Sequence, residues 1–156
     1  MFPNRLIQEY IDMSQYTKMD KFDTLDEQIK EAQSLYHDEF CTLYPGMLEI
    51  VWFYFPTAKS KNIDTRSIKA IYYRKQCLKT DFCKTKQWGQ SCTKIWWACD
   101  SKREFHKQSE HITWYNVVID NGERTMKGFT NNNIDAFLAA IKPQLNEGTL
   151  IVNDFP

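Results

Sequence analysis

The spacing of hydrophobic residues predicts two helices in the first forty-odd positions, because apolar side chains recur there three or four residues apart. Pro3 suits a first helical turn, and the first apolar stripe follows it at Leu6, Ile7, Tyr10 and Ile11. Thr24 and Glu27 form a capping box, and the second stripe is Leu25, Ile29, Ala32, Tyr36 and Phe40. Pro45 and Gly46 are predicted to end this second helix.

From residue 47 onwards the pattern changes to that of β-strands. Met47–Phe55 is nearly all apolar, as in a strand that is covered on both faces, and Ile112–Ile119 is a second strong strand. Asn121-Gly122 favours a hairpin that returns through Arg124–Phe129. Further strands are predicted at Arg66–Arg74, Thr93–Cys99 and Thr149–Val152. Connections too short for crossover helices favour antiparallel pairing.

A last helix is predicted near the C-terminal end. Asn132 or Asn133 can cap it, its apolar positions are Ile134, Phe137, Leu138 and Ile141, and Pro143 kinks or ends it. The elements add up to an α+β fold with two N-terminal helices, a four- to five-stranded mostly antiparallel sheet, and a C-terminal helix packed on the sheet. With 156 residues and only five Gly and five Pro, we predict a single globular domain spanning 1–156.

Composition indicates the compartment. The longest apolar run, Ile50–Phe55, is too short to cross a bilayer. The opening residues Met-Phe-Pro-Asn-Arg lack the basic start and apolar core of a signal peptide. We therefore predict a cytoplasmic protein that does not contact membranes.

Charge is sorted along the chain although the net charge is zero. Residues 57–96 carry ten Lys/Arg against two Asp/Glu, whereas residues 1–55 carry four against ten. The basic stretch also contains the aromatic residues Tyr72, Tyr73, Phe82, Trp88 and Trp96. Basic residues interleaved with aromatic ones are typical of a contact surface. Opposite charge patches could also bring two copies together, so a homodimer is an open alternative.

We predict that the contact surface lies within residues 57–97. The side chains expected to form it are Lys69, Arg74, Lys75, Lys84, Lys86, Trp88, Lys94 and Trp96. Trp88 is the most suggestive because its sequence neighbours are polar, although it could instead fold back on the sheet as a lid. If the strands Arg66–Arg74 and Thr93–Cys99 are neighbours, Lys69 and Lys94 could share a face with Trp96.

This pattern favours a non-enzymatic binding module. Trp, Tyr and Arg are the anchor types of protein interfaces, so the predicted function is contact with a protein partner, as its inhibitor or regulator. The first alternative is binding of single-stranded nucleic acid or a nucleotide, because lysines pair with phosphates and aromatic rings stack on bases. The sequence pI of about 6.8 argues against that alternative.

Signatures of catalysis or metal binding are sparse. A second alternative is a small metal-independent nuclease that uses His106 and His111 as acid and base. Either histidine could also approach Cys99 at a strand end, although nothing in the sequence fixes that geometry. We predict no cofactor, because no phosphate-binding loop or metalloprotease motif is present.

Four of the five cysteines fall within a short stretch, at Cys77, Cys83, Cys92 and Cys99. Their spacings match no zinc knuckle, so no metal is predicted. Free thiols are the expected state, with disulfides or a zinc site as open alternatives.

Overall fold

The computed structural model describes residues 28, 29 and 32–156. The chain divides into two compact units, Met1–Gln33 and Ser34–Pro156, and the description below concerns the second. The first predicted helix lies outside the described residues, as do residues 24–27, 30 and 31 of the second, whereas Gln28, Ile29, Ala32 and Gln33 of the second are helical. The single domain spanning 1–156 stays a prediction.

The predicted second helix is wrong where the structure describes its C-terminal part. Tyr36–His37 (β1) and Cys41–Tyr44 (β2) are strands that pair with each other. The Asp38 carboxylate accepts hydrogen bonds from the backbone N–H groups of Phe40 and Cys41, and this local turn competes with a helix. Pro45 and Gly46 then form the turn of a hairpin instead of ending a helix.

A four-stranded antiparallel sheet is formed by the first strands, in the order β1-β2-β3-β4. β3 is Met47–Tyr54, which confirms the predicted strand, and β4 is Lys59–Asp64. The expected cover on both faces of β3 is wrong, because buried residues alternate along it with half-buried or exposed ones such as Trp52 and Tyr54. The register of β3 against β4 shifts between Ile50 and Tyr54, where Trp52 has a positive φ of 53°.

A second, six-stranded sheet has the order β10-β5-β8-β9-β7-β6. Its strands are β5 (Ala70–Lys75), β6 (Gly89–Gln90), β7 (Ile95–Trp97), β8 (Tyr115–Asp120), β9 (Met126–Asn131) and β10 (Leu150–Val152). The pairs β5–β8, β8–β9 and β6–β7 are antiparallel, whereas β10–β5 and β7–β9 are parallel.

Helices are few in the described chain. Within Ser34–Pro156 they are α1 (Leu78–Asp81), α2 (Ile134–Ile141) and the 3-10 turns Thr65–Ser67 and Lys142–Gln144. The Asn133 side chain caps α2 by accepting from the backbone N–H of Ala136, which confirms the predicted C-terminal helix and its cap. No helix among the described residues is long and apolar enough to cross a bilayer.

The predicted α+β class is therefore wrong, since the described chain is mostly β, with ten strands in two sheets instead of four or five in one. Four strands escaped prediction, namely β1, β2, β4 and β6. The β4 segment Lys59–Asp64 is mostly polar and carries little apolar signal. The β1–β2 hairpin carries an apolar spacing that also fits a helix, and β6 has only two residues. The parallel pairs join strands that are distant in sequence, which hairpin signals cannot reveal.

The six-stranded sheet has two different faces. Its core face packs against the four-stranded sheet and α2, and one buried apolar cluster joins all three, including Leu48, Ile71, Val117, Phe129 and Phe137. Burying a large apolar side chain contributes roughly 1.5–3 kcal/mol. The opposite face, called here the loop-covered face, has a small apolar cluster of Ile95, Trp97 and Val118.

Candidate functional site

The centre of the loop-covered face is Trp97 on β7, which is fully buried. Its ring lies on the backbone of Gly128 in β9, where an added Cβ would come within 2.5 Å of the ring. Its indole N–H donates to the carbonyl of Lys84 at 2.9 Å. The Arg103 guanidinium lies over the ring at 4.7 Å from its centroid. Residues 84–88, called here the lysine-rich loop, are thus tied to the sheet at Lys84.

The buried Arg103 side chain also binds the backbone of the same loop. Only 3% of its surface is exposed, and its guanidinium donates to the carbonyls of Lys86, Gln87 and Ala98. Burial lowers the pKa of Arg103 to about 10, which leaves the group protonated at neutral pH. The backbone N–H of Asp100 also donates to the Gln87 carbonyl at 2.9 Å. The loop backbone is therefore held by a buried cation and by a strand-end amide.

These bonds use the backbone of the loop and leave its lysine side chains outside. Lys86 is exposed and Lys84 is half-buried. Trp88 is half-buried, donates its indole N–H to the Phe53 carbonyl at 3.1 Å, and meets the Phe55 ring edge-on at 5.0 Å. Phe55 is 62% exposed. We call Phe55, Lys84, Lys86 and Trp88 the loop surface.

Two of the predicted contact residues, Arg74 and Lys84, both approach Phe155 near the C-terminal end. Arg74 makes an exposed ion pair with Asp154 at 3.5 Å, and its guanidinium lies 5.5 Å from the Phe155 ring centroid. The Lys84 ammonium approaches the same ring at 5.6 Å. Phe155 thus lies between two cations at the border of the loop surface, an arrangement that cation–π attraction favours.

The other predicted contact residues do not join this group. Lys69 and Lys94 precede β5 and β7 at one end of the sheet, whereas Arg74 and Lys75 lie at the other end of β5. β8 and β9 separate β5 from β7, so the predicted pairing of those two strands is wrong. Trp96 packs against the core, with its indole N–H on the Phe53 carbonyl at 2.9 Å.

A cleft of about 490 Å³ opens beside the loop-covered face. Its lining includes Phe40, Trp52, Cys99, Asp100, His106 and Trp114. His106 and Cys99 thus line the same cleft, an approach that the sequence had left open. His111 is exposed and does not belong to the cleft lining.

His106 is oriented within this cleft by a buried carboxylate. Its Nε2 lies 2.8 Å from Asp100 Oδ2, and its ring stacks on Trp114 with centroids 3.8 Å apart and planes at 8°. Asp100 also accepts from the Thr130 hydroxyl and the Lys102 backbone N–H. The second ring nitrogen, Nδ1, has no hydrogen-bond partner within the described part of the chain. A carboxylate that orients one imidazole nitrogen leaves the other available for proton transfer.

The Cys99 thiol is not activated by this setting. Burial raises its pKa, which the nearby Arg103 cation only partly offsets, so the thiol stays protonated at neutral pH. Trp52 lines the cleft in a conformation that costs a non-glycine residue about 1–3 kcal/mol. Its carbonyl accepts from the Cys99 N–H at 2.9 Å, and the side chain is 57% exposed.

Sequence reasoning missed a buried polar network that continues from Asp100. The Gln76 amide donates to Thr130 at 3.2 Å and to Asn116 at 3.0 Å, and Asn116 donates to Asp81 at 3.3 Å. Paired members of such a network fix one arrangement, although Gln76 Oε1 is buried without a hydrogen-bond partner in the described chain. The available signal was the presence of Asn116 inside the otherwise apolar run of β8.

The cysteines provide no metal centre within the described residues, where no three His, Cys, Asp or Glu side chains are grouped to hold an ion. All five are free thiols, of which Cys77, Cys83 and Cys92 are exposed.

No family model matches the chain, and neither a curated protein nor a solved structure matches it.

Proposed function

We propose that the chain is a non-enzymatic binding module that contacts an acidic protein partner through the loop surface, Phe55, Lys84, Lys86 and Trp88. The observation that carries this proposal is the anchoring of the loop. Arg103 and Trp97 hold its backbone carbonyls, while the lysine side chains stay outside. A surface that is ordered beforehand loses less conformational entropy on binding, which increases affinity.

The composition of the loop surface supports a protein partner. An exposed phenyl ring against a half-buried indole offers an apolar anchor, and the flanking ammonium groups offer a charged rim. Lys84 and Lys86 give this surface two positive charges, so an acidic partner would be steered towards it.

A nucleic-acid ligand is less well supported. Trp88 is half-buried and its ring contacts Phe55, and Trp96 packs against the core, so both indoles are partly covered and less accessible to bases. Lys69 and Lys94 lie at the opposite end of the sheet from Arg74, which breaks a continuous track for phosphates. A cytoplasmic location, an inhibitory or regulatory role and a homodimer stay predictions.

The test is a comparison of three baits in a lysate of the source organism. The baits are the wild-type chain, Lys84→Glu/Lys86→Glu, and the matched control Lys94→Glu. The double variant keeps the backbone bonds of the loop because those bonds do not use the lysine side chains. We expect an acidic protein that the wild type and the control retain equally and that the double variant retains about tenfold less.

Two outcomes would overturn the proposal. Equal retention of the captured protein by all three baits would show that the loop surface is not part of the interface. Loss of the retained protein after nuclease treatment would favour the nucleic-acid alternative, and affinity should then fall steeply with salt. Thermal unfolding of each bait checks that the fold is unchanged.

Phe55→Ala tests the apolar anchor separately. The ring is mostly exposed, so its removal should change the free energy of unfolding by less than about 0.5 kcal/mol. Anchor residues at interfaces cost more than about 1 kcal/mol of binding when truncated, so affinity for the captured protein should fall about fivefold or more.

A second candidate function is proton-transfer chemistry on a small molecule in the His106 cleft. The observation favouring it is the buried Asp100, which orients His106 and leaves Nδ1 without a partner in the described chain. The test is turnover of a panel of phosphodiesters and esters by the wild type, His106→Asn and His111→Asn. Loss of activity only in His106→Asn would support the cleft, whereas equal loss in both variants would restore the two-histidine nuclease.

A further inference from the structure

Two cysteines bracket the lysine-rich loop and meet at its base. Cys83 follows α1 and Cys92 lies between β6 and β7, and their Sγ atoms are 3.5 Å apart. Both residues are exposed. A disulfide bond is about 2.05 Å long, so bond formation needs a sulfur displacement of only about 1.5 Å.

The two sulfurs are kept close by backbone structure on both sides. On the Cys83 side, the backbone N–H groups of Lys84 and Thr85 donate to the Asp81 carbonyl at 2.9 and 3.1 Å. On the Cys92 side, Ser91 N–H donates to the Ile95 carbonyl at 3.1 Å, and β6 pairs with β7. Groups held together in this way react as if at high local concentration.

We propose that Cys83 and Cys92 form a redox-active dithiol that a low-molecular-weight disulfide oxidises reversibly to an intramolecular disulfide. This inference does not depend on the proposed function. It concerns a modification site, and its readout is the covalent state of the two sulfurs. Neither thiol has another hydrogen-bond partner in the described residues, so no existing bond is lost when they join.

The reaction is a two-step thiol–disulfide exchange. One protein thiol, as its thiolate, attacks a sulfur of the small disulfide RSSR, breaking the S–S bond and releasing one RSH. The second protein thiol then attacks the protein sulfur of the mixed disulfide and releases a second RSH. The protein dithiol loses two electrons and two protons, and the small disulfide gains both. A small dithiol reductant reverses the sequence.

The remaining cysteines provide internal controls. Cys41 is fully buried, and burial raises its pKa well above the ordinary value, so it should stay unmodified. Cys77 is exposed, and a hydrogen bond from the Thr80 side chain lowers its pKa. Cys77 should therefore form a mixed disulfide without a resolving partner.

The experiment equilibrates the purified chain with oxidised and reduced glutathione and maps the products by peptide mass analysis. We expect an intramolecular Cys83–Cys92 bond that exceeds glutathione adducts at these two sites by about tenfold and that dithiothreitol removes. Cys83→Ser and Cys92→Ser should each accumulate a glutathione adduct on the remaining partner, whereas the matched control Cys77→Ser should keep the bond.

Glutathione adducts on both Cys83 and Cys92, or no modification of either, would overturn the proposal. A bond from either residue to Cys77 would do the same. Partner binding is not part of this readout, so failure here leaves the proposed function untouched, and failure of the proposed function leaves this result valid.

Discussion

The two faces of the six-stranded sheet are stabilised by different means. Val117 and Ile119 of β8 point to the core face, where apolar groups from both sheets and α2 exclude water. Asn116, from the same strand, points to the loop-covered face and joins the polar network with Asp81 and Gln76. Apolar packing tolerates changes of shape, whereas buried polar networks tolerate few changes of partner. The loop-covered face should therefore respond more sharply to conservative substitution.

The largest expected effect follows from removing the buried cation. Arg103→Met should lower the free energy of unfolding by about 3–5 kcal/mol, because loop carbonyls lose their donor in a buried site. The matched change on the core face, Phe137→Leu, should cost about 1.5 kcal/mol or less. Urea unfolding of both variants measures the difference. Equal losses would mean that the two faces do not differ as described.

The next effect concerns the support of Trp97. Gly128→Ala should destabilise the fold by about 2 kcal/mol, because the new methyl group would overlap the buried Trp97 ring. Gly128→Ala/Trp97→Leu should recover part of this loss, since the smaller side chain leaves room. Thermal unfolding is the measurement. If the loss of stability in the double variant equals the sum of the losses in the two single variants, this contact is excluded as the cause.

A third prediction concerns the one buried lysine of the core face. Lys127 contacts Glu123 at 2.6 Å, and this hydrogen bond, with one from Lys61, lowers the pKa of Glu123 to about 2. Because the pKa is lower in the folded chain, the stabilisation is complete above about pH 4.5 and is lost as the pH falls towards 2.

Glu123→Gln should remove this pH dependence and cost about 1 kcal/mol at neutral pH, a small value because the carboxylate is half-exposed. Urea unfolding of the wild type and the variant between pH 2 and pH 7 gives the comparison. Parallel curves for the two proteins would contradict the assignment.

The smallest expected effect tests the cleft. Trp52→Gly should stabilise the fold slightly, by about 0.5–1 kcal/mol, because glycine adopts a positive φ without strain. The same change should weaken the binding of any molecule that occupies the His106 cleft. A clear loss of stability would show that the Trp52 side chain serves packing instead.

Several elements around the core face could be predicted from the sequence, whereas the contacts of the loop-covered face could not. Met47–Tyr54, the Asn121-Gly122 hairpin and Ile134–Ile141 were predictable because each carries a local apolar period or a turn signal. The anchoring of the lysine-rich loop was not, since it depends on Arg103, whose three acceptors are backbone carbonyls. Every residue has a backbone carbonyl, so the sequence does not indicate which carbonyls accept from Arg103.

The candidate cleft was only partly predictable. The sequence identified His106 and Cys99 as a candidate pair. The orientation of His106 depends on the buried Asp100 and on stacking with Trp114, which the sequence does not reveal. The basic stretch was visible from charge alone. The distance between Lys69 and Lys94 follows from the insertion of β8 and β9 between β5 and β7, which local patterns do not encode.

The proposed binding mode requires a loop surface that is ordered before any partner binds. Native-state hydrogen exchange measures this order at the amides of Lys84 and Asp100, which donate to the carbonyls of Asp81 and Gln87. We predict protection of both in the wild type, and exchange at least about tenfold faster in Arg103→Met than the loss of global stability explains. Wild-type exchange at these amides as fast as in an unstructured peptide would contradict the proposed binding mode.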